Sequence, residues 1–238
     1  GNESNRPRVL IEEWLPIAEL GIESRRERAV SSTLPPLSRL HVWWARRPVV
    51  ASTAVVLAGL LPAWTENLAQ RFSSHTSLSS RQNYHSWVLR LAGILGDPVQ
   101  AQKLANAAKA SGVKSTANPF TYKQAYKNPI SHADLELLHE ILIQTWGQLP
   151  AVADPTAGGG SIPFVSSRFG LPTFANDLNG VAASIVRASV EVPAREGRSL
   201  CSPLRKWGNV LTERVDERLR EFFPALPGEQ VTNYIWVN

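Results

Sequence analysis

The sequence predicts an α/β chain built on a doubly wound parallel sheet, with two legible strands and long helical regions ahead of them. Three observations predict it. Ala151-Val152-Ala153 is a short apolar run ending in Asp154, and Gly158-Gly159-Gly160 follow before Ser161-Ile162-Pro163-Phe164 opens a helical pattern. That is the order strand, tight loop, helix N-terminus. A second strand, Pro172-Thr173-Phe174-Ala175, ends at Asn176-Asp177, which places Asp177 23 residues after Asp154. A helix over Gly180–Val190 then completes a β-loop-α-β-α unit.

The remaining elements follow from periodicity and punctuation. Helices are predicted at Glu12–Leu20 and Glu23–Ser32, on either side of Gly21, and the run Glu23-Ser24-Arg25-Arg26-Glu27-Arg28 reads as a solvated helix face or, alternatively, a contact to DNA or a partner subunit. The proline-rich connector Leu34-Pro35-Pro36 follows. Pro48 to Leu61 carries alanine, valine and leucine on nearly all faces, which predicts a helix buried against the sheet. Further helices are predicted near Ser79–Leu95, Val99–Ser111 and Ser131–Gly147, with a polar loop over Ser115–Asn128. In the last of these helices Ser131 can cap, and Leu135, Leu138, Leu142 and Trp146 recur at helical spacing. After Val190 a loop with Arg195, Arg198 and Pro203 leads to a charged amphipathic helix over Gly208–Phe223. The organisation expected is a helical region at 1–64, a basic helical insertion at 65–150 and a sheet-containing core at 151–238.

Composition narrows the class. With 43% hydrophobic residues the chain can bury a real core. One cysteine, Cys201, excludes an intrachain disulfide framework and a self-contained cysteine zinc site; it reads as a small buried residue, and no metal is expected. The longest apolar run, Val49 to Leu61, is interrupted by Ser52, Thr53 and Gly59, so no membrane span is expected, and the expected location is cytoplasmic. The absence of methionine and the Gly1-Asn2 start read as a piece of a longer chain. Net charge is +5, and between Asn67 and Ala133 eight basic residues face one acid, Asp97. Phe72, Tyr84, Trp87, Phe120, Tyr122 and Tyr126 are interleaved there, so the segment is either a DNA-facing lobe or a solvated helical insertion whose aromatics fill its own core.

The glycine loop is the candidate site. Glycines admit a ligand close to the backbone, and a helix start presents free N–H groups. A phosphate-cradling loop needs Gly-Lys-Ser/Thr, whereas Gly160 is followed by Ser161-Ile162. A dinucleotide fingerprint wants a third glycine where Pro163 stands. Asp154-Pro155 puts a carboxylate beside the loop, which repels a pyrophosphate and suits a cationic ligand such as S-adenosylmethionine. An acidic residue about 20 positions beyond such a loop, as Asp177 is, can accept the ribose hydroxyls.

The run Asp154-Pro155-Thr156-Ala157-Gly158-Gly159-Gly160-Ser161 resembles the cofactor motif of amino-methylating DNA methyltransferases, and Asp177-Leu178-Asn179 resembles their ribose-binding segment. His41-Val42-Trp43-Trp44-Ala45-Arg46-Arg47-Pro48 is similar, in register, to the segment that precedes a helix and closes their cofactor pocket. The opening Ile11–Pro16, with Glu23–Glu27 and Leu34–Leu37, further resembles large adenine-specific DNA methylases of phage-defence gene clusters. The resemblance implies a partial Rossmann-like, S-adenosylmethionine-dependent methyltransferase fold, with His41, Trp43 and Arg46 joining the loop residues and Asp177 around the cofactor. It also implies double-stranded DNA as partner, with further protein partners in a defence complex. The Asp/Asn/Ser-Pro-Pro-aromatic motif that holds the target amine is not in the sequence. Asn118-Pro119-Phe120 lacks its second proline, and Asp97-Pro98 reads as a helix start, so no catalytic residue is assigned. The expected function is the methyl-donor part of a DNA adenine N6-methyltransferase, inactive by itself; the alternative is a methyltransferase-like module that binds DNA or a partner without catalysis. Trp43 and Trp44, followed by Arg46 and Arg47, read as a wall over the adenosyl group or as a reader of a base through stacking and phosphate contacts, or else as a plug at a helix entrance, and His41 reads as a structural hydrogen-bonding residue.

Overall fold

The computed structural model describes residues 6–29, 35–112 and 118–222. Gly1-Asn2, the expected helix end at Val30–Ser32, Leu34 of the connector, Lys114 and 115–117 of the polar loop, and Phe223 lie outside these residues. The chain divides into two compact units, Gly1–Glu191 and Val192–Asn238. In the first, a 3-10 turn at Leu10–Glu12 precedes α1 (Ile17–Arg28), α2 (Leu37–Leu40), α3 (Val49–Leu60), α4 (Glu66–Arg71), α5 (Arg81–Leu91), α6 (Pro98–Ala110) and α7 (His132–Trp146). Then come β1 (Val152–Asp154), α8 (Ser161–Arg168), β2 (Thr173–Ala175) and α9 (Gly180–Val186), which runs on as a π-helical turn over Arg187–Glu191. Among the described residues the sheet has two strands, β1 and β2, parallel, with Val152 opposite Thr173 and Asp154 opposite Ala175.

α3 is the hub. Its apolar sequence buries Val49, Val50, Ala54, Val56, Leu57 and Ala58, and it packs against α1, α5 and α8, the helix between the two strands. No side chain of its own caps it. Instead, both oxygens of Glu27 on α1 accept the first N–H groups of α3, from Val49 at 2.8 Å and Val50 at 3.2 Å. Burial pushes the Glu27 carboxyl up from its ordinary range. The polar residues on this helix are satisfied in place: Thr53 Oγ1 donates to Val49 O, and Ser52 Oγ meets Ser161 Oγ of α8 at 3.1 Å.

The charged run on α1 is not a solvated face. Leu20, Glu23 and Glu27 form one buried stripe, with Glu23 paired to Arg26 and accepting from Tyr122 Oη at 2.6 Å. A single helix replaces the two expected here. Gly21 costs roughly 1 kcal/mol in a helix interior, and the stripe that continues across it outweighs that.

The aromatics of 67–133 fill the protein's own interior. Phe72, Tyr84 and Trp87 are buried in the core shared with Leu57, Leu138, Ile141, Val165 and Phe169, while Phe120 and Tyr122 lie over the Arg26 guanidinium at 3.9 and 4.9 Å. Arg71 is held by Gln144 and Arg90 by Asp134, while Arg81, Lys103, Lys109, Lys123 and Lys127 are exposed. Asp134 does most in this region. Its carboxylate accepts from Trp87 Nε1 at 2.9 Å and from Arg90 twice, and its own backbone N–H is capped by Ser131. The Arg90 hydrogen bond leads the causes that hold its carboxyl below the usual range. A depressed carboxyl stabilises the fold above its unfolded value of 3.8 and ceases to do so as pH falls through the folded one. Asp134→Ala, which strands the Trp87 indole N–H and Arg90, is expected to cost about 2–4 kcal/mol and to flatten the acid limb of a urea-midpoint-against-pH curve. An unchanged acid limb would contradict this.

The second unit is helical where a loop was expected. α10 (Val192–Glu196) and a 3-10 turn at Gly197–Leu200 lead into α11 (Cys201–Leu219), so the last helix begins seven residues before Gly208. Pro203 falls in its first turn, where a missing N–H removes no intrahelical bond. Cys201 is exposed, not buried. No helix of the described residues is long and apolar enough to cross a membrane.

Candidate functional site

The glycine loop is built by backbone bonds that tie the ends of β1 and β2 together. The Asp154 carbonyl accepts Asn176 N–H at 2.9 Å, and Ala157 N–H returns to Asn176 O at 3.0 Å. Asp154 itself is buried, and its Oδ1 accepts Thr156 N–H at 3.2 Å. Its carboxylate therefore shapes the turn from beneath. Asp177, at the tip of β2, reaches across: Oδ2 accepts Gly158 N–H and Oδ1 accepts Asn179 N–H, both at 2.8 Å. These bonds, Asn179 first, hold the Asp177 carboxyl below the usual carboxylate range. Asn179 in turn caps α9 through Val181 N–H.

Two glycines take left-handed backbone, Gly158 at φ 51° and Gly160 at φ 79°. Gly160 is the N-cap of α8 and supplies no side chain, so the helix start stays uncovered by its own cap. Trp43 lies directly on the loop. A Cβ at Gly158 would stand 2.9 Å from Trp43 Nε1, and one at Gly159 would stand 3.1 Å from Trp43 Cβ. The absence of side chains is thus required by the indole as well as by the turn.

Between these walls opens a shallow cleft of about 120 Å³. His41, Trp43, Ala45, Arg46, Arg47 and Val49 line one side with Leu37 and Ser38, and Thr156, Ala157, Gly158, Gly159 and Ser161 line the other. Seven of the residues singled out from the sequence, His41, Trp43, Arg46 and Thr156–Gly159, therefore meet around one space. The others stand off it. Asp154 is under the loop, Pro155 is exposed, Gly160 backs onto Val186, Leu178 points fully into solvent, and Asp177 and Asn179 act through backbone N–H groups. No carboxylate lines the cleft, and its charged residues are Arg46 and Arg47. Among the described residues no cluster of three or more His, Cys, Asp or Glu is placed to hold a metal.

Residues 14–85 match a family described as "Protein of unknown function (DUF1156)". That span holds all of α1, the Trp43 wall and α3, and ends ahead of the glycine loop. No curated protein and no solved structure matches the chain.

Arg47, expected with Arg46 as part of the wall, lines the cleft, whereas Ser161 was missed as a lining residue although it stood in the quoted motif. Ser161 is the first residue of α8, and a residue there faces whatever the helix N-terminus faces. Glu27 and Arg28 were missed as supports of the wall. Arg28 Nη2 donates to Arg46 O at 3.0 Å while Glu27 holds Val49, so α1 pins the wall where it enters α3. The signal was there in the spacing of Leu20, Glu23 and Glu27, which repeats on one face of a helix.

Proposed function

We propose that the cleft holds S-adenosylmethionine, as the methyl-donor site of a DNA adenine N6-methyltransferase with a partial Rossmann-like core. The observation that carries this reading is Asp177, at the tip of the second parallel strand and hydrogen-bonded to the glycine loop of the first. Asp177 stands off the cleft, and its two oxygens, accepting the N–H groups of Gly158 and Asn179, hold the loop that the ligand meets. Trp43 supplies a flat wall for an adenine, Gly158 and Gly159 admit the ligand to the backbone, and Arg46 offers a counter-charge to the α-carboxylate of the methionyl group. Asp154 does not face the ligand in this arrangement; it holds the turn that does. The bound sulfonium would supply an activated methyl group for an exocyclic amine. The resemblance to methylases of phage-defence gene clusters points to a cytoplasmic role on double-stranded DNA with protein partners.

Calorimetric titration of the full chain with S-adenosylmethionine tests this. Saturable binding is expected, and Asp177→Ala should weaken it by at least about tenfold, since a hydrogen bond to a charged group contributes roughly 1.5–3 kcal/mol. Absence of heat on titrating the wild-type chain, repeated with S-adenosylhomocysteine, would sink the reading. A second reading, a methyltransferase-like module that binds DNA or a protein without catalysis, is favoured by the exposed arginines Arg39, Arg46 and Arg47 on one stretch beside the cleft. It predicts duplex binding with steep salt dependence that Asp177→Ala leaves unchanged.

A further inference from the structure

Residues 39–47 run along the surface beside the cleft, and their charged residues are Arg39, Arg46 and Arg47, with no acid between Pro35 and Pro48. All three arginines are exposed, and none has a carboxylate partner among the described residues. In the middle stands Trp44, 87% exposed. Tryptophan is highly buried on average, so an indole this open has something to account for. It is also positioned. Its ring meets Trp43 edge-on, with centroids 6.1 Å apart and planes at 88°, and Trp43 is fixed against Gly158 and Gly159. Trp44 does not line the cleft; it stands at its rim with a ring face open to solvent.

We propose that Trp44 is a stacking platform for an unpaired nucleobase at the mouth of the cleft, with Arg39 and Arg47 taking the flanking phosphates. Every base presents a π-face, and an aromatic ring between cations matches the alternation of base and phosphate along a strand. An acidic peptide would satisfy the arginines and leave the indole face unfilled. The proposal rests on the DNA-directed reading above but not on which small molecule fills the cleft. It also moves the nucleic-acid contact away from the aromatics of 67–133, which are committed to the interior or to Arg26.

Fluorescence anisotropy with labelled mixed-sequence single-stranded oligonucleotides, using the full chain, tests it. Trp44→Ala and Trp44→Leu should each weaken binding about tenfold or more, and Trp44→Phe should retain most of it, because stacking and not apolarity alone is lost. The pair Arg39→Ala and Arg47→Ala should reduce the slope of log affinity against log salt by about 1.4, for two phosphate contacts on a single strand. Titration of Trp44→Ala with S-adenosylmethionine should match wild type. Wild-type oligonucleotide affinity in Trp44→Ala, or no single-strand binding by the unmodified chain, overturns the platform. Trp44-dependent oligonucleotide binding without any S-adenosylmethionine binding overturns the cofactor reading and leaves the platform standing.

Discussion

Glu23→Ala is expected to lose about 3–5 kcal/mol of stability, the range for removing one partner of a buried charge pair. Glu23 is 1% exposed and serves three groups at once: the Arg26 guanidinium, Tyr122 Oη at 2.6 Å and Ala125 N–H at 3.3 Å. Its removal leaves Arg26 only 14% exposed with no counter-charge, beneath the rings of Phe120 and Tyr122. Burial, reinforced by Glu23, holds the Tyr122 phenol protonated well above its usual range, so it is a donor at any ordinary pH and loses its acceptor. Glu23→Gln keeps the shape and part of the bonding and should cost clearly less. Urea unfolding followed by circular dichroism reads both. A wild-type midpoint for Glu23→Ala would show that the pair stabilises nothing.

Gly158→Val should abolish binding in the cleft while leaving most of the fold intact. At φ 51° an L-residue costs roughly 1–2 kcal/mol, and a β-branched side chain fits that conformation worst. The new Cβ would also stand 2.9 Å from Trp43 Nε1, so the indole must leave the wall and carry the rim with it. Gly159→Ala is the internal control. It has no positive φ, and its Cβ would approach Trp43 at 3.1 Å, which asks a few tenths of an ångström of the neighbour. Calorimetry with S-adenosylmethionine should therefore rank wild type above Gly159→Ala, with Gly158→Val showing no heat. Equal affinities for the two variants would remove Trp43 from the wall.

What was legible in the sequence is what depends on neighbours along the chain. The two strands, the loop, the start of α3 at Pro48 and the Ser131 cap of α7 came from local punctuation, and their bounds agree within a residue or two. What was not legible depends on partners far away. Glu27 looks like a surface residue until Val49 and Val50, more than twenty positions on, present their N–H groups to it. Asp154 was expected to face a ligand because it borders the loop, but a carboxylate two residues before a backbone N–H can instead turn inward and hold it. The loop expected around Arg195 and Arg198 is helical because neither Gly197 nor Pro203 sits where it must break a helix: one is in a 3-10 turn and the other in a first turn.

The cleft is made of two stretches, 37–49 and 156–161, separated by more than one hundred residues. They face one another through the packing of α3 on α8 and the Ser52–Ser161 contact, inside the same unit that contains Trp87 and Glu23. The site therefore has no existence apart from the folded core. By mass action any ligand that fills it adds to the stability of the whole unit, about 2.7 kcal/mol at a hundredfold excess over its dissociation constant. Melting temperature thus becomes a search instrument for the natural occupant, one that requires no turnover.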